Sequence, residues 1–296
     1  MLTGGGGFVA GNIIGQSAPE LKVHAIETRE VSFRRNNLSW HAVDLLDTPA
    51  LKSLFDHIRP DVVVHAAALS DIDFCEAHRD QAERVNVAVT RVLAELCREM
   101  NSRMIYFSSD SVFDGETGNY SEENEPQPLN VYARTKVDAE NIVAHTVPDW
   151  VIVRPSLVLG LPAFAAGNSF LWRMMQALQE GNTVAFPSEE IRSPIDVITL
   201  SRAILELAEH DYKGYLHLSG NDALSRLAMA RRIARRLGYE EAVVVDKKPD
   251  VEGERARRPR DVSLSNRRAK QILKTPLRSF SEGLDLALTH KGVERP

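Results

Sequence analysis

Tyr132 and Lys136, in VYARTKVDAE, stand four residues apart, and on a helix that spacing puts both side chains on one face. A tyrosine hydroxyl with a pKa of about 10 is a poor proton shuttle at neutral pH, whereas a neighbouring ammonium favours the phenolate and lowers that value. The pair suits general acid–base chemistry, with Tyr132 as proton donor and Lys136 tuning it. Upstream, SSDSVFDG follows an apolar run and sets Ser108, Ser109 and Asp110 at the carboxyl end of a strand, the edge at which open α/β sheets hold ligands. Ser109 is placed to hydrogen-bond a substrate carbonyl. A turn-capping serine and a half-buried tyrosine are the plainer readings of these residues. Their joint strand and helix context favours the chemical one.

The chain opens TGGGGFVAG. Gly4 and Gly7 allow a tight turn and close approach of the backbone to a pyrophosphate, whose charge then meets the free N–H groups of a helix beginning near Phe8. Only Met1 and Leu2 precede Thr3, whereas a strand feeding such a loop ordinarily runs to about five residues. The expectation is a first strand that is truncated or whose start is misassigned, and the plainer reading of the glycines is a flexible leader. Glu27 ends the second strand, 20 residues beyond Gly7, where an acidic side chain accepts hydrogen bonds from the adenosine ribose and so leans towards NAD. Arg29 is equally suited to the 2′-phosphate of NADP, and the choice stays open. Asp44, after the third strand, is placed either to meet an adenine amino group or to cap the Thr48 to Ile58 helix.

These residues need a scaffold, and the apolar pattern supplies one. Lys22 to Glu27, Trp40 to Val43, Asp61 to His65, Met104 to Ser108 and Trp150 to Arg154 read as strands separated by helix-length segments. Near-continuous apolar strands such as DVVVHAAA are expected where helices cover both faces of a parallel sheet. The fold class is therefore α/β, a doubly wound parallel sheet. Residues 1–155 form the dinucleotide-binding part, with part of 192–218 returning to it. Residues 156–191 and 219–296, with an amphipathic helix from Leu224 to Leu237 stopped by Gly238, form a smaller substrate-binding region. The basic stretch from Arg226 to Lys274 reads as a solvated face or, more sharply, as a site for an anion such as a nucleotide diphosphate.

Composition narrows the rest. Of 296 residues 43% are apolar, ample for a core. The 36 Lys and Arg against 41 Asp and Glu leave a net charge of −5, which argues against nucleic acid as a partner. The two cysteines, Cys75 and Cys97, show no metal or disulfide spacing, so no metal is expected and the compartment reads as reducing cytoplasm. No apolar run of about 18 residues is present to span a membrane.

Taken together, TGGGGFVAG, HAAALSDIDFCE, RVN, SSDSVFDG, Tyr132-x-x-x-Lys136, VRPS and RSPIDVITLSRAI resemble the extended short-chain dehydrogenase/reductases, and among them the dTDP-4-dehydrorhamnose reductase family. That family's STDYVFDG is matched by SSDSVFDG, its YGxSKxxGE by YARTKVDAE, its NF-containing helix start by NSFLWRM, and its C-terminal RP segment by RPRDVSLS. The resemblance covers nearly the whole chain. It implies an NAD(P)H-dependent reduction of a nucleotide-linked 4-keto-6-deoxy sugar, in which Tyr132 protonates the keto oxygen, Lys136 binds the nicotinamide ribose and Ser109 orients the carbonyl. It also implies that Gly4, Gly7, Phe8 and Val9 form the pyrophosphate loop, that Asp44 and Leu45 contact adenine, and that Ala66, Ala67 and Ala68 lie beneath the ribose. Ser108 and Pro155 line the cofactor site by the same resemblance, and Asp110, Asn168, Arg192 and Arg258 fall on the sugar-nucleotide side. A homodimer through the helices at Asp80 to Met100 and Asn130 to His145 is implied by analogy.

Departures from the family pattern bear on substrate. Ala10 stands in place of the loop's third glycine with Gly11 after it, and Ala133 and Ala139 replace glycines around the Tyr and Lys, all mild changes. Ser111 stands where the family has tyrosine, which removes an aromatic that could grip a sugar ring. Two other activities fit the same residues: a sugar-nucleotide epimerase or dehydratase that keeps its cofactor, and a non-catalytic cofactor-binding subunit like the regulatory subunit of methionine adenosyltransferase. SSDS offers Asp110 without the following Glu that a dehydratase needs.

Overall fold

The structure is a computed structural model that describes residues 1–29, 31–164, 169–247 and 255–290. Strands β1 (Leu2–Thr3), β2 (Val23–Ile26), β3 (Leu38–His41), β4 (Val62–His65), β5 (Arg103–Phe107) and β6 (Trp150–Pro155) join a strand at Gly214–Leu218 in one sheet. Every pairing in it is parallel. The spatial order is Gly214–Leu218, β6, β5, β4, β1, β2, β3. The chain therefore winds outward one way from β1 to β3 and the other way from β4 to β6. A crevice opens at the carboxyl ends of β1 and β4, where that direction reverses.

Apolar clusters cover both sheet faces, which is why the strands are apolar throughout. Helix Phe8–Gln16 and helix Val197–Glu209 pack on one face over Ile105, Val151 and Val153. Helices Thr48–Ile58, Val89–Met100 and Val131–Thr146 pack on the other over Val63, Met104 and Ile152. A further apolar cluster joins helices Phe170–Gln179, Arg226–Arg236 and Phe280–Thr289. Among the described residues no helix is long and apolar enough to cross a membrane.

Several boundaries differ from expectation. Strand β1 is Leu2 and Thr3, which pair with β2 on one side and β4 on the other, and the Met1 backbone continues the contact through Val62 O at 2.6 Å and Val64 N at 2.8 Å. Strand β3 lies at Leu38–His41, two residues earlier than predicted, because the register with β2 sets Val23 opposite Leu38 and Ile26 opposite His41. The expected helix from Leu224 begins at Arg226. Leu224 and Ser225 pair antiparallel with Arg192 and Ile191 instead, and the Ser225 hydroxyl caps the helix by accepting from Ala228 N at 3.1 Å.

Candidate active site

The glycine loop is shaped by close approach. Gly4 has φ +67°, and a Cβ there would lie 3.1 Å from Ala67 Cα. Gly7 N donates to Gly4 O at 2.8 Å and closes the turn. Gly7 also begins helix Phe8–Gln16 without any side-chain cap, so the helix N-terminus is left to an incoming anion. Thr3 Oγ1 accepts from Ala67 N at 3.2 Å and meets His65 Nδ1 at 2.7 Å, which fixes the loop over β4. Burial pushes the His65 imidazole down to about 3, so it is neutral.

A cleft of about 700 Å³ runs from this loop across the carboxyl ends of the sheet. Gly4, Gly7, Phe8, Val9, Ala66 and Ala68 line one end. Ser108, Ser109, Asp110, Tyr132, Lys136 and Pro155 line its middle. Arg192 and Arg258 line the far end. Ala67 sits beneath Gly4.

Besides Ala67, four expected cofactor residues lie outside this cleft's lining. Glu27 is half-buried behind the loop, accepting from Gly6 N at 3.1 Å and Thr28 N at 2.9 Å. Arg29 is exposed. Asp44 accepts from Leu46 N at 2.9 Å, and Asp47, not Asp44, caps helix Thr48–Ile58 by accepting from Ala50 N at 3.0 Å. Leu45 packs against the apolar cluster on that face of the sheet. Asn168 lies outside the described residues.

In the middle of the cleft, Asn130 caps helix Val131–Thr146 and thereby fixes Tyr132 and Lys136 in its first turns. Lys136 Nζ donates to Phe107 O at 2.8 Å and lies 5.9 Å from the Tyr132 ring centroid. Burial lowers the lysine to about 8, against the pull of Glu140. Tyr132 is raised by burial, and its hydrogen bond with Ser109 only partly offsets this. The expectation that Lys136 lowers the Tyr132 pKa is thus corrected. The ammonium is held by a β5 carbonyl, and desolvation of the phenol dominates.

Asp110 and its neighbours form a tight polar knot. Its carboxyl accepts from Ser156 at 3.1 Å and from Ser109 and Ser111 at 3.3 Å each, with Arg192 Nε at 3.9 Å. Burial raises its pKa, and Arg192 draws it back. Ser108 lines the cleft and gives its hydroxyl proton to Glu140.

Arginines dominate the far end. Arg192 is buried and spends its donors on Ile191 O at 2.7 Å, Arg260 O at 3.1 Å and Pro259 O at 3.2 Å, which holds the 258–260 segment in place. Arg258 forks onto Asp73. Sequence reasoning missed Arg173, Glu190 and Asp73, which also line the cleft. Arg226 and Arg255 belong to the basic stretch already singled out, and both reach the cleft. Arg226 stacks on Phe170 at 4.9 Å and lies 3.7 Å from Glu190. Guanidinium groups gathered in this way suit phosphate oxygens. Among the described residues no group of three or more His, Cys, Asp and Glu is placed to hold a metal ion.

A glycine turn pressed onto β4, an uncapped helix N-terminus and a buried Ser–Tyr–Lys set in one cleft fit a nicotinamide dinucleotide. Fold and site together define an extended short-chain dehydrogenase/reductase. The chain belongs to the RmlD substrate binding domain family, which it matches over residues 1–292. It is 28% identical over 294 residues to the dTDP-4-dehydrorhamnose reductase of Mycobacterium tuberculosis strain H37Rv, covering 97% of this chain and 91% of that one. It is 31% identical over 240 residues to methionine adenosyltransferase 2 subunit beta of Rattus norvegicus, covering 79% and 70%. The dTDP-4-dehydrorhamnose reductase of Bacillus anthracis, solved in complex with NADP, superposes with a TM-score of 0.85 at 23% identity, with 97% of each chain covered.

Proposed function

We propose that the protein is an NAD(P)H-dependent reductase of a nucleotide-linked 4-keto-6-deoxy sugar. The observation that carries this reading is the meeting of Ser109, Tyr132 and Lys136 with the glycine loop in a cleft whose other end is lined by arginines. The bound dinucleotide supplies hydride to the keto carbon. Tyr132 gives its proton to the keto oxygen, and its raised pKa keeps that proton in place until the oxygen becomes basic. Ser109, joined to Tyr132 and Asp110, orients the carbonyl. Lys136 holds the nicotinamide ribose and keeps positive charge below the tyrosine. Arg226, Arg255 and Arg258 take the diphosphate, so residues 156–191 and 219–296 serve as the substrate side.

Glu27 favours NADH, because its carboxylate at the end of β2 would repel a 2′-phosphate, and Arg29 is exposed beside it. A cytoplasmic homodimer completes the proposal. Two free thiols, Cys75 and Cys97, suit a reducing compartment, and sedimentation would test the dimer.

The experiment is absorbance at the reduced-nicotinamide band with NADH or NADPH and an enzymatically generated dTDP-4-keto-6-deoxy sugar. Oxidation that vanishes in Tyr132→Phe supports the reductase. The resemblance to methionine adenosyltransferase 2 subunit beta favours a second reading, a nucleotide-binding subunit without turnover. Cofactor binding without oxidation of any keto sugar would favour that one.

A further inference from the structure

The helix that carries Tyr132 and Lys136 holds a second charged residue that the reaction above does not use. Glu140 follows Lys136 by one turn and Tyr132 by two, so the three share a face. It is 1% exposed. Its Oε1 accepts from Arg154 Nε at 2.9 Å and from the Ser108 hydroxyl, while Oε2 accepts from Arg154 Nη2 at 2.7 Å. Arg154, in β6, is buried with its guanidinium over the rings of Tyr215 at 4.6 Å and Phe113 at 5.2 Å.

One buried carboxylate is thus paired directly with Arg154 and stands one helical turn from a second buried cation, Lys136. An uncompensated buried charge is costly, and of the two cations only the lysine can shed its proton. The groups facing Lys136 come from four elements: Tyr132 and Glu140 on its own helix, Tyr106 on β5 with its ring centroid 5.0 Å from Nζ, His65 on β4, and Cys75 on helix Ile72–Ala77. Burial raises the phenols of Tyr106 and Tyr132 and the thiol of Cys75, and holds His65 neutral. Tyr215, which faces Glu140 from the Gly214–Leu218 strand, is raised as well. Glu140 is the one carboxyl among them, and it is held in an ion pair by Arg154.

We propose that Glu140 is a positioning residue whose carboxylate, clamped by Arg154 and Ser108, is the counter-ion that keeps Lys136 protonated in the floor of the cleft. The same clamp ties the helix to the carboxyl ends of β5 and β6, where Ser109 and Pro155 begin the cleft wall. This inference deepens the reductase reading and rests on it for any effect on turnover, but its test reads Lys136 directly.

The full-length protein labelled with ¹³Cε-lysine is titrated by NMR from neutral to alkaline pH, the Lys136 signal being assigned by its loss in Lys136→Met. In Glu140→Gln the Lys136 midpoint should fall by about one pH unit or more. In Arg154→Met it should rise, because Glu140 then serves Lys136 alone. Opposite shifts from the two halves of one ion pair follow from an electrostatic role, whereas a structural one would move neither midpoint or both the same way. An unmoved midpoint in Glu140→Gln, or shifts of one sign, overturns the proposal. If Glu140→Gln does not fold, the double variant Glu140→Gln/Arg154→Met decides: its Lys136 midpoint should lie below that of Arg154→Met, and equal midpoints overturn the proposal. Opposite shifts in a protein that oxidises no reduced nicotinamide would leave the counter-ion standing and remove the reductase.

Discussion

Arg258 forks onto Asp73, Nη1 to Oδ1 at 2.9 Å and Nη2 to Oδ2 at 2.8 Å, across 185 residues of chain. The pair joins the segment after β4 to the C-terminal part of the molecule at the cleft rim, and Arg255 lies 3.6 Å from the same carboxylate. Arg258→Ala should raise KM for the sugar nucleotide by about tenfold to a hundredfold, the range expected for hydrogen bonds to charged groups, with the cofactor Kd unchanged. Arg258 holds the Asp73 carboxyl below its ordinary value of 3.8. A lowered carboxylate contributes fully above the unfolded pKa and fades as pH falls through the folded one. The stability lost in Arg258→Ala should therefore be complete at neutral pH and shrink in acid, which denaturant midpoints measured against pH would show.

Tyr132→Phe removes the proposed proton donor and leaves the ring. Turnover should fall by about a hundredfold to ten-thousandfold, the usual worth of general acid catalysis. The Kd for NADH, followed by its fluorescence, should stay within about twofold of the parent. A parallel loss of cofactor affinity would mean that the hydroxyl holds the ribose rather than serving the keto oxygen.

Glu27 meets the glycine loop from behind through Gly6 N. Glu27→Ser removes the carboxylate proposed to oppose a 2′-phosphate. The ratio of Kd for NADPH to Kd for NADH, measured by calorimetry, should exceed one in the parent and fall in the variant. A parent that prefers NADPH would shift the assignment to Arg29.

Gly4 combines φ +67° with backbone 3.1 Å from any added Cβ. Gly4→Ala should cost about 1–2 kcal/mol from the left-handed conformation alone and push the loop off Ala67. Cofactor affinity should drop more than thermal stability does, as calorimetry and a melting curve on the same sample would reveal.

Lys136 sits at about 8 in the folded protein against 10.5 for a free lysine. A lysine with a lowered folded pKa costs stability below that value, and the cost disappears as pH rises towards the unfolded pKa. Lys136→Met should therefore stabilise the protein by a constant amount below pH 8, and the gain should shrink between about 8 and 10.5. Denaturant midpoints of the two proteins across that window test the sign.

Much of the scaffold is legible in the chain itself. Strand-length apolar runs alternating with helical segments announce a covered parallel sheet, and the glycine run announces the turn before helix Phe8–Gln16. Trp40 shows where such reading slips. Its run looked like the start of a strand, yet pairing with Ala25 places it near the end, since parallel register belongs to two strands and not to one.

The residues one turn apart on a helix, Tyr132 and Lys136, and the glycines that need an unusual backbone are local features, so neighbours along the chain suffice to define them. The balance of charge in the site is different. The tyrosine is raised by burial, Ser108 turns to Glu140, Arg226 meets Glu190, and Arg255 and Arg258 meet Asp73 across more than a hundred residues. Those outcomes rest on which groups lose water and which charges are brought within reach, and only the packing of distant segments decides that.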